Sequence, residues 1–157
     1  MFRIHQDAKR WGANLLSKEG PLKTQFDIYY LSFLVGIGLG RSQDMAEAEV
    51  TEITRTVTEP YTPYRYVLAG LLLVSELTNS GLPLSKPLVK AKVAELLDSH
   101  SQTFLSDAAV ELMNGYAYGG FEAIREHMPK APAAHDFLIW YYNAMIPECF
   151  KDELWKG

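Results

Sequence analysis

A chain of 157 residues suits one domain and is long enough to bury a substantial core, and its 12% aromatic and 22% charged content is that of a folded domain, not a disordered one. A net charge of −4 argues against attachment to nucleic acid by bulk charge and leaves only a local patch for that purpose. The lone cysteine, Cys149, excludes an internal disulfide, and the residues from Met1 to Asp7 lack the apolar run of a secretory leader, so a cytoplasmic location is expected.

Residues 4–18 place Ile4, Ala8, Trp11 and Leu15 on one face and predict a short amphipathic helix, ended by Glu19-Gly20-Pro21. Up to Thr24 the basic residues Arg3, Lys9, Arg10, Lys18 and Lys23 outnumber Asp7 and Glu19, a local positive surface suited to phosphates. The next stretch, Phe26 to Leu39, carries a single charge, Asp27. It is too short to cross a bilayer and predicts a helix buried on all sides, capped by Thr24 and stopped by Gly40. Ser32, Gly36 and Gly40, four apart, form a stripe for close helix packing. The rival reading is a strand followed by an anion-binding loop at Gly36 to Ser42. The glycine spacing there matches neither a P-loop nor a dinucleotide fingerprint.

Ser42 or Asp44 begins a predicted third helix with Ala46, Val50, Ile53 and Val57 inward and an acidic outer face of Glu47, Glu49 and Glu52. Glu49 and Glu52 have the spacing to share a cation, but a solvated face is the ordinary reading. A basic first helix and an acidic third suggest charge complementarity with a partner. The Pro- and Tyr-rich segment 58–64 is a loop and a candidate subdivision of the single domain. Thr62-Pro63 then opens a fourth helix to Leu77, whose run Val67 to Val74 predicts a second nearly all-buried element facing the small stripe.

Past the break at residues 79–83, Ser85 caps a fifth helix with Val89, Val93, Leu96 and Leu97 inward. Ser106 caps a sixth, with Ala109, Leu112, Met113 and Tyr116 periodic, ending at Gly119-Gly120. A seventh spans Phe121 to Met128, and the last strong helix runs from Ala133 to Ile146, closed by Pro147. The tail, residues 148–157, has Phe150, Leu154 and Trp155 at helical spacing, either folded back or forming a hook for another chain.

The search for chemistry finds no nucleophile held beside a base. The histidines His5, His100, His127 and His135 are scattered without metal-ligand spacing, so neither a metal nor a cofactor is expected. Nine tyrosines exceed what so small a core buries, and the surplus points to contact surfaces, Tyr61 and Tyr64 first.

These readings predict an all-α, single-domain bundle of seven or eight helices with two nearly fully buried central helices. The leading functional expectation is a non-catalytic accessory or adaptor subunit. It would contact a protein partner, or a second copy in a homo-oligomer, through Tyr61, Tyr64, Phe150, Leu154 and Trp155, with no membrane role. The first helix with its Ala8-Lys9-Arg10 run, followed by the glycine-interrupted apolar helix, resembles small helical accessory proteins of bacterial DNA-modification and phage-defence operons over the stretch from Met1 to Gly40. That resemblance implies the alternative, a nucleic-acid-contacting small subunit of a DNA-processing or defence complex using Arg3, Lys9, Arg10, Lys18 and Lys23. An enzyme with an anion site at 36–42 ranks last.

Overall fold

The computed structural model describes residues 1–151, so Leu154 and Trp155 lie outside the described residues. Strand β1 (Phe2–His5) leads into α1 (Gln6–Gly12), and α2 (Gln25–Leu39) is followed by β2 (Val50–Thr54). Then come α3 (Arg65–Asn79), α4 (Lys86–Leu96), α5 (Asp107–His127) and α6 (Ala134–Trp140). The last of these continues through a π-helical turn, Tyr141–Met145, into α7 (Ile146–Cys149). With α6 and α7 taken as one rod, the described residues form six helices and a two-stranded antiparallel sheet, not a bundle of seven or eight helices.

The sheet is the main departure from the predicted fold. Phe2 pairs with Thr54, Ile4 with Thr51 and His5 with Val50, so the supposed third helix is a strand and the chain's first residues are its partner. Ala46, Val50, Ile53 and Val57 fit a helical period, but Val50-Thr51-Glu52-Ile53-Thr54 is rich in β-branched residues, which sit more easily on a pleated surface. On β1, Phe2 and Ile4 alternate into the core, the period of a strand.

Helix α2 begins where its caps place it. The Lys23 and Thr24 amides each donate to Asp27 Oδ2 at 2.7 Å, closing a capping box, and Gly40 ends the helix in the left-handed region at φ 62°. Its main partner is α5, not the helix at Val67 to Val74. At the crossing, a Cβ on Gly120 would land on the Ser32 carbonyl oxygen and 2.6 Å from the Gly36 amide nitrogen. One on Gly36 would land on the Tyr116 carbonyl. Gly119 likewise abuts the Arg41 carbonyl. The glycine pair is thus the contact strip that lets two backbones touch, and α5 runs through it to His127 without the predicted break.

Apolar side chains fill both sides of this crossing. Phe2, Phe26, Phe33, Leu72 and Met113 form one cluster, and Ile4, Leu15, Phe121, Phe137 and Tyr141 the other. Helix α3 contributes Leu68, Ala69, Leu72 and Leu77 to the interior but leaves Tyr66, Val67 and Val74 on the surface, so it is peripheral rather than central. Pro147 does not close the last helix. In an α-helical register its ring would meet the carbonyl four residues back; the wider π turn, in which the Ile146 amide donates to the Tyr141 carbonyl, carries the rod past it. No helix among the described residues is long and apolar enough to cross a membrane.

Candidate interaction surfaces

Of the tyrosines singled out for contact, Tyr61 is a strut. Its hydroxyl donates to Oδ1 of Asp27, a buried carboxylate at the start of α2, and its ring lies 4.6 Å from that of Tyr30 and 5.3 Å from that of Phe26. Burial first, and then the hydrogen bond to Asp27, push its hydroxyl far above the usual tyrosine range. The pair pins the 3₁₀ turn Glu59–Tyr64 onto α2. Tyr64 and Tyr142 are exposed beside it, and both hydroxyls act on half-buried Tyr30, whose own is raised chiefly by burial.

Phe150 is half-buried where the rod after α6 returns to α2. A Cβ on Gly38 would stand 2.9 Å from Phe150 Cε2 and 2.7 Å from Cys149 Cβ. Burial pushes the Cys149 thiol up to about 11, so it stays protonated near neutral pH. Ser32 and Gly36 lie at the α2–α5 crossing and Gly40 forms the cap, which places the small stripe partly in packing and partly in termination. In the segment 36–42 the Gly40 and Arg41 amides donate to the Ile37 and Gly36 carbonyls, and the Arg41 guanidinium pairs with Glu126 at 2.8 Å.

The basic residues do not form one surface. Arg3 points along β1 into a cleft of about 470 Å³ whose walls carry Asp44, Glu47, Glu95 and Glu111, and it lies 3.7 Å from Glu111. Buried Asn114 closes the base, accepting from the Arg3 amide and the Tyr29 hydroxyl. Lys9 and Arg10 are exposed on α1, and Lys18 and Lys23 on the connection that follows. Arg10 shares a shallow depression with Arg125 and Lys130, where Asp7 pairs with both arginines, at 3.5 and 3.0 Å. No group of three or more His, Cys, Asp or Glu among the described residues has the arrangement to hold a metal.

The most distinctive surface belongs to α3. Its solvent-facing side from Tyr66 through Val67, Gly70 and Val74 to Thr78 carries no charge, and Tyr66 and Val67 are 61% and 57% exposed, values of surface side chains. Between α3 and the segment after α4 runs an apolar groove of about 310 Å³, lined by Tyr66, Ala69, Gly70, Leu73, Leu97 and Phe104. A Cβ on Gly70 would meet nothing within 4 Å, so the groove floor is open. Phe104, one wall, is held at φ 60°, a left-handed conformation that strains a bulky residue. The charge-free run Val67 to Val74 is the sequence signal for this surface, and periodicity alone reads it as core.

No protein-family model, curated protein or solved structure matches the chain.

Proposed function

We propose that this protein is a non-catalytic accessory subunit that docks onto an apolar helix of a larger protein assembly through the exposed face of α3. The observation that supports this is the absence of charge along that face: a surface helix of a monomer ordinarily turns polar residues to water, and a contiguous apolar patch is the mark of a contact site. Tyr64 and Tyr66 extend the patch at its N-terminal end with the amphipathic rings that contact surfaces favour. Each Val or Leu side chain covered there contributes about 1.5–3 kcal/mol of burial before the entropy of association is subtracted.

The test is purification of the tagged chain from its own host after nuclease treatment, beside a Val67→Glu/Val74→Glu variant of equal thermal stability. Stoichiometric proteins retained by the wild type and lost by the variant support docking through α3. Equal recovery from both overturns it.

A second reading, contact with nucleic acid, draws on the depression shared by Arg10, Arg125 and Lys130. Salt-sensitive retention on DNA or RNA that Lys9→Glu with Arg10→Glu abolishes would favour it. Retention unchanged by that pair would remove this surface from consideration.

A further inference from the structure

Against two rings that wall the groove beside α3 lies the Arg65 guanidinium, which has no carboxylate partner among the described residues. The Arg65 guanidinium carbon lies 5.1 Å from the centre of the Tyr66 ring and 4.8 Å from that of Phe104, and the two ring centres are 5.2 Å apart. Both rings wall the groove. Arg3, Arg10, Arg41 and Arg125 each have a carboxylate within 4 Å, whereas the half-buried Arg65 side chain, like that of exposed Arg55, has no ion pair among the described residues. Its Nε, like that of Arg3, is shut off from solvent with no acceptor. The groove lining offers no carboxylate. Stacking fixes a planar donor fork in place, so an incoming acidic group would meet a preorganised partner.

We propose that the partner segment seated on α3 carries an Asp or Glu within a helical turn of a large apolar side chain, the apolar group filling the groove over Gly70 and the carboxylate pairing with Arg65. This rests on the reading of α3 as a docking face and gives that face its chemistry. A second copy docked α3 to α3 does not supply the acid from that helix. The only carboxylate on α3, Glu76, accepts from the Tyr116 hydroxyl at 2.8 Å on the inward side, and the exposed face has none. Charge complementarity therefore selects a segment that is acidic and apolar in one short stretch, not a second α3 face.

The probe is a library of short random displayed peptides panned on the immobilised full chain, with the enriched peptides then synthesised. Three variants report on them. Gly70→Leu adds bulk at the groove floor, where an added Cβ meets nothing within 4 Å, and improves the helix; thermal stability equal to the wild type is its control. Arg65→Gln removes the charge, and an Asp→Asn or Glu→Gln peptide removes its partner. The expected result is enrichment of an acidic residue beside Leu, Phe or Trp, with affinity lowered about tenfold or more by Gly70→Leu and by Arg65→Gln. The neutral peptide is expected to lose affinity to the wild type and to be indifferent to Arg65→Gln. Peptides blocked by Gly70→Leu but lacking an acid, or unaffected by Arg65→Gln, overturn the carboxylate pairing and leave the docking face standing. No enrichment, or enriched peptides indifferent to Gly70→Leu, overturns the docking face and this inference with it.

Discussion

One substitution made at two glycines separates close packing from helix propensity. Replacing a mid-helix glycine by alanine favours the helix by about 0.5–1 kcal/mol through backbone entropy alone. At Gly70 nothing lies within 4 Å of the added Cβ, so Gly70→Ala is expected to stabilise the fold by about that amount. At Gly120 the same methyl would land on the Ser32 carbonyl and 2.6 Å from the Gly36 nitrogen, both backbone atoms of α2. No side chain is there to move aside. Restoring ordinary contact requires the α2 and α5 axes to part by about 1.5 Å, loosening the core on both sides of the crossing. Overpacking of this kind costs about 3 kcal/mol, which outweighs the propensity gain several-fold. With a urea dependence of about 1–3 kcal/mol per molar, the Gly120→Ala midpoint should fall by about 1 M or more while that of Gly70→Ala rises by a few tenths. A Gly120→Ala protein within about 1 kcal/mol of the wild type would refute the close crossing on which the fold is built.

The strut at the start of α2 is expected to respond in graded fashion. Tyr61→Phe removes one donor to Asp27 and should cost about 1–2 kcal/mol, whereas Asp27→Ala deprives the Lys23 and Thr24 amides and the Tyr61 hydroxyl of their acceptor together and should cost about 2–4 kcal/mol. Denaturant titration measures both, and a silent Tyr61→Phe would contradict the assignment of Tyr61 as a strut. Iodoacetamide should alkylate Cys149 at pH 8 much more slowly in the folded protein than in urea, with the folded-state rate climbing toward the thiol's raised value of about 11; equal rates in both states would show the thiol to be open. The same shift fixes the sign of the alkaline response. The unfolded thiol loses its proton at lower pH than the folded one, so this contribution to stability is complete below about 9 and is lost as pH rises toward 11. The buried hydroxyls of Tyr29 and Tyr141, raised by burial, act in the same direction, and a denaturation midpoint that rises over that range would contradict the whole group.

Helix α2 was legible because its determinants are local: an apolar run with one charge, a Thr24–Asp27 box at one end and Gly40 at the other. Strand β2 was not, because its partner is β1 at the start of the chain, beyond the whole of α1 and α2, and the apolar spacing of residues 46–57 satisfies a helix equally well. Gly119-Gly120 reads locally as a stop, yet the approach of α2 turns both residues into packing surface inside α5. Pro147 reads the same way, and the π turn before it absorbs the conflict. At the surface, Tyr61 was legible as special but not as internal, since nothing in the sequence shows that Asp27 will meet it. The α3 face was hidden for a different reason. An apolar run facing the core and one facing a partner obey the same pattern, and only the packing of the rest of the chain shows that Val67 and Val74 are left outside.

The most direct test of α3 as an interface is a photo-crosslinking residue placed singly at Val67, at Val74 and, as a control on another surface, at Lys130, with irradiation in the cells that make the protein. The expected result is one discrete adduct of common mass from positions 67 and 74 and none from position 130. Absence of that adduct from α3, or equal crosslinking from all three positions, would contradict the claim that this face is where the protein meets its partner.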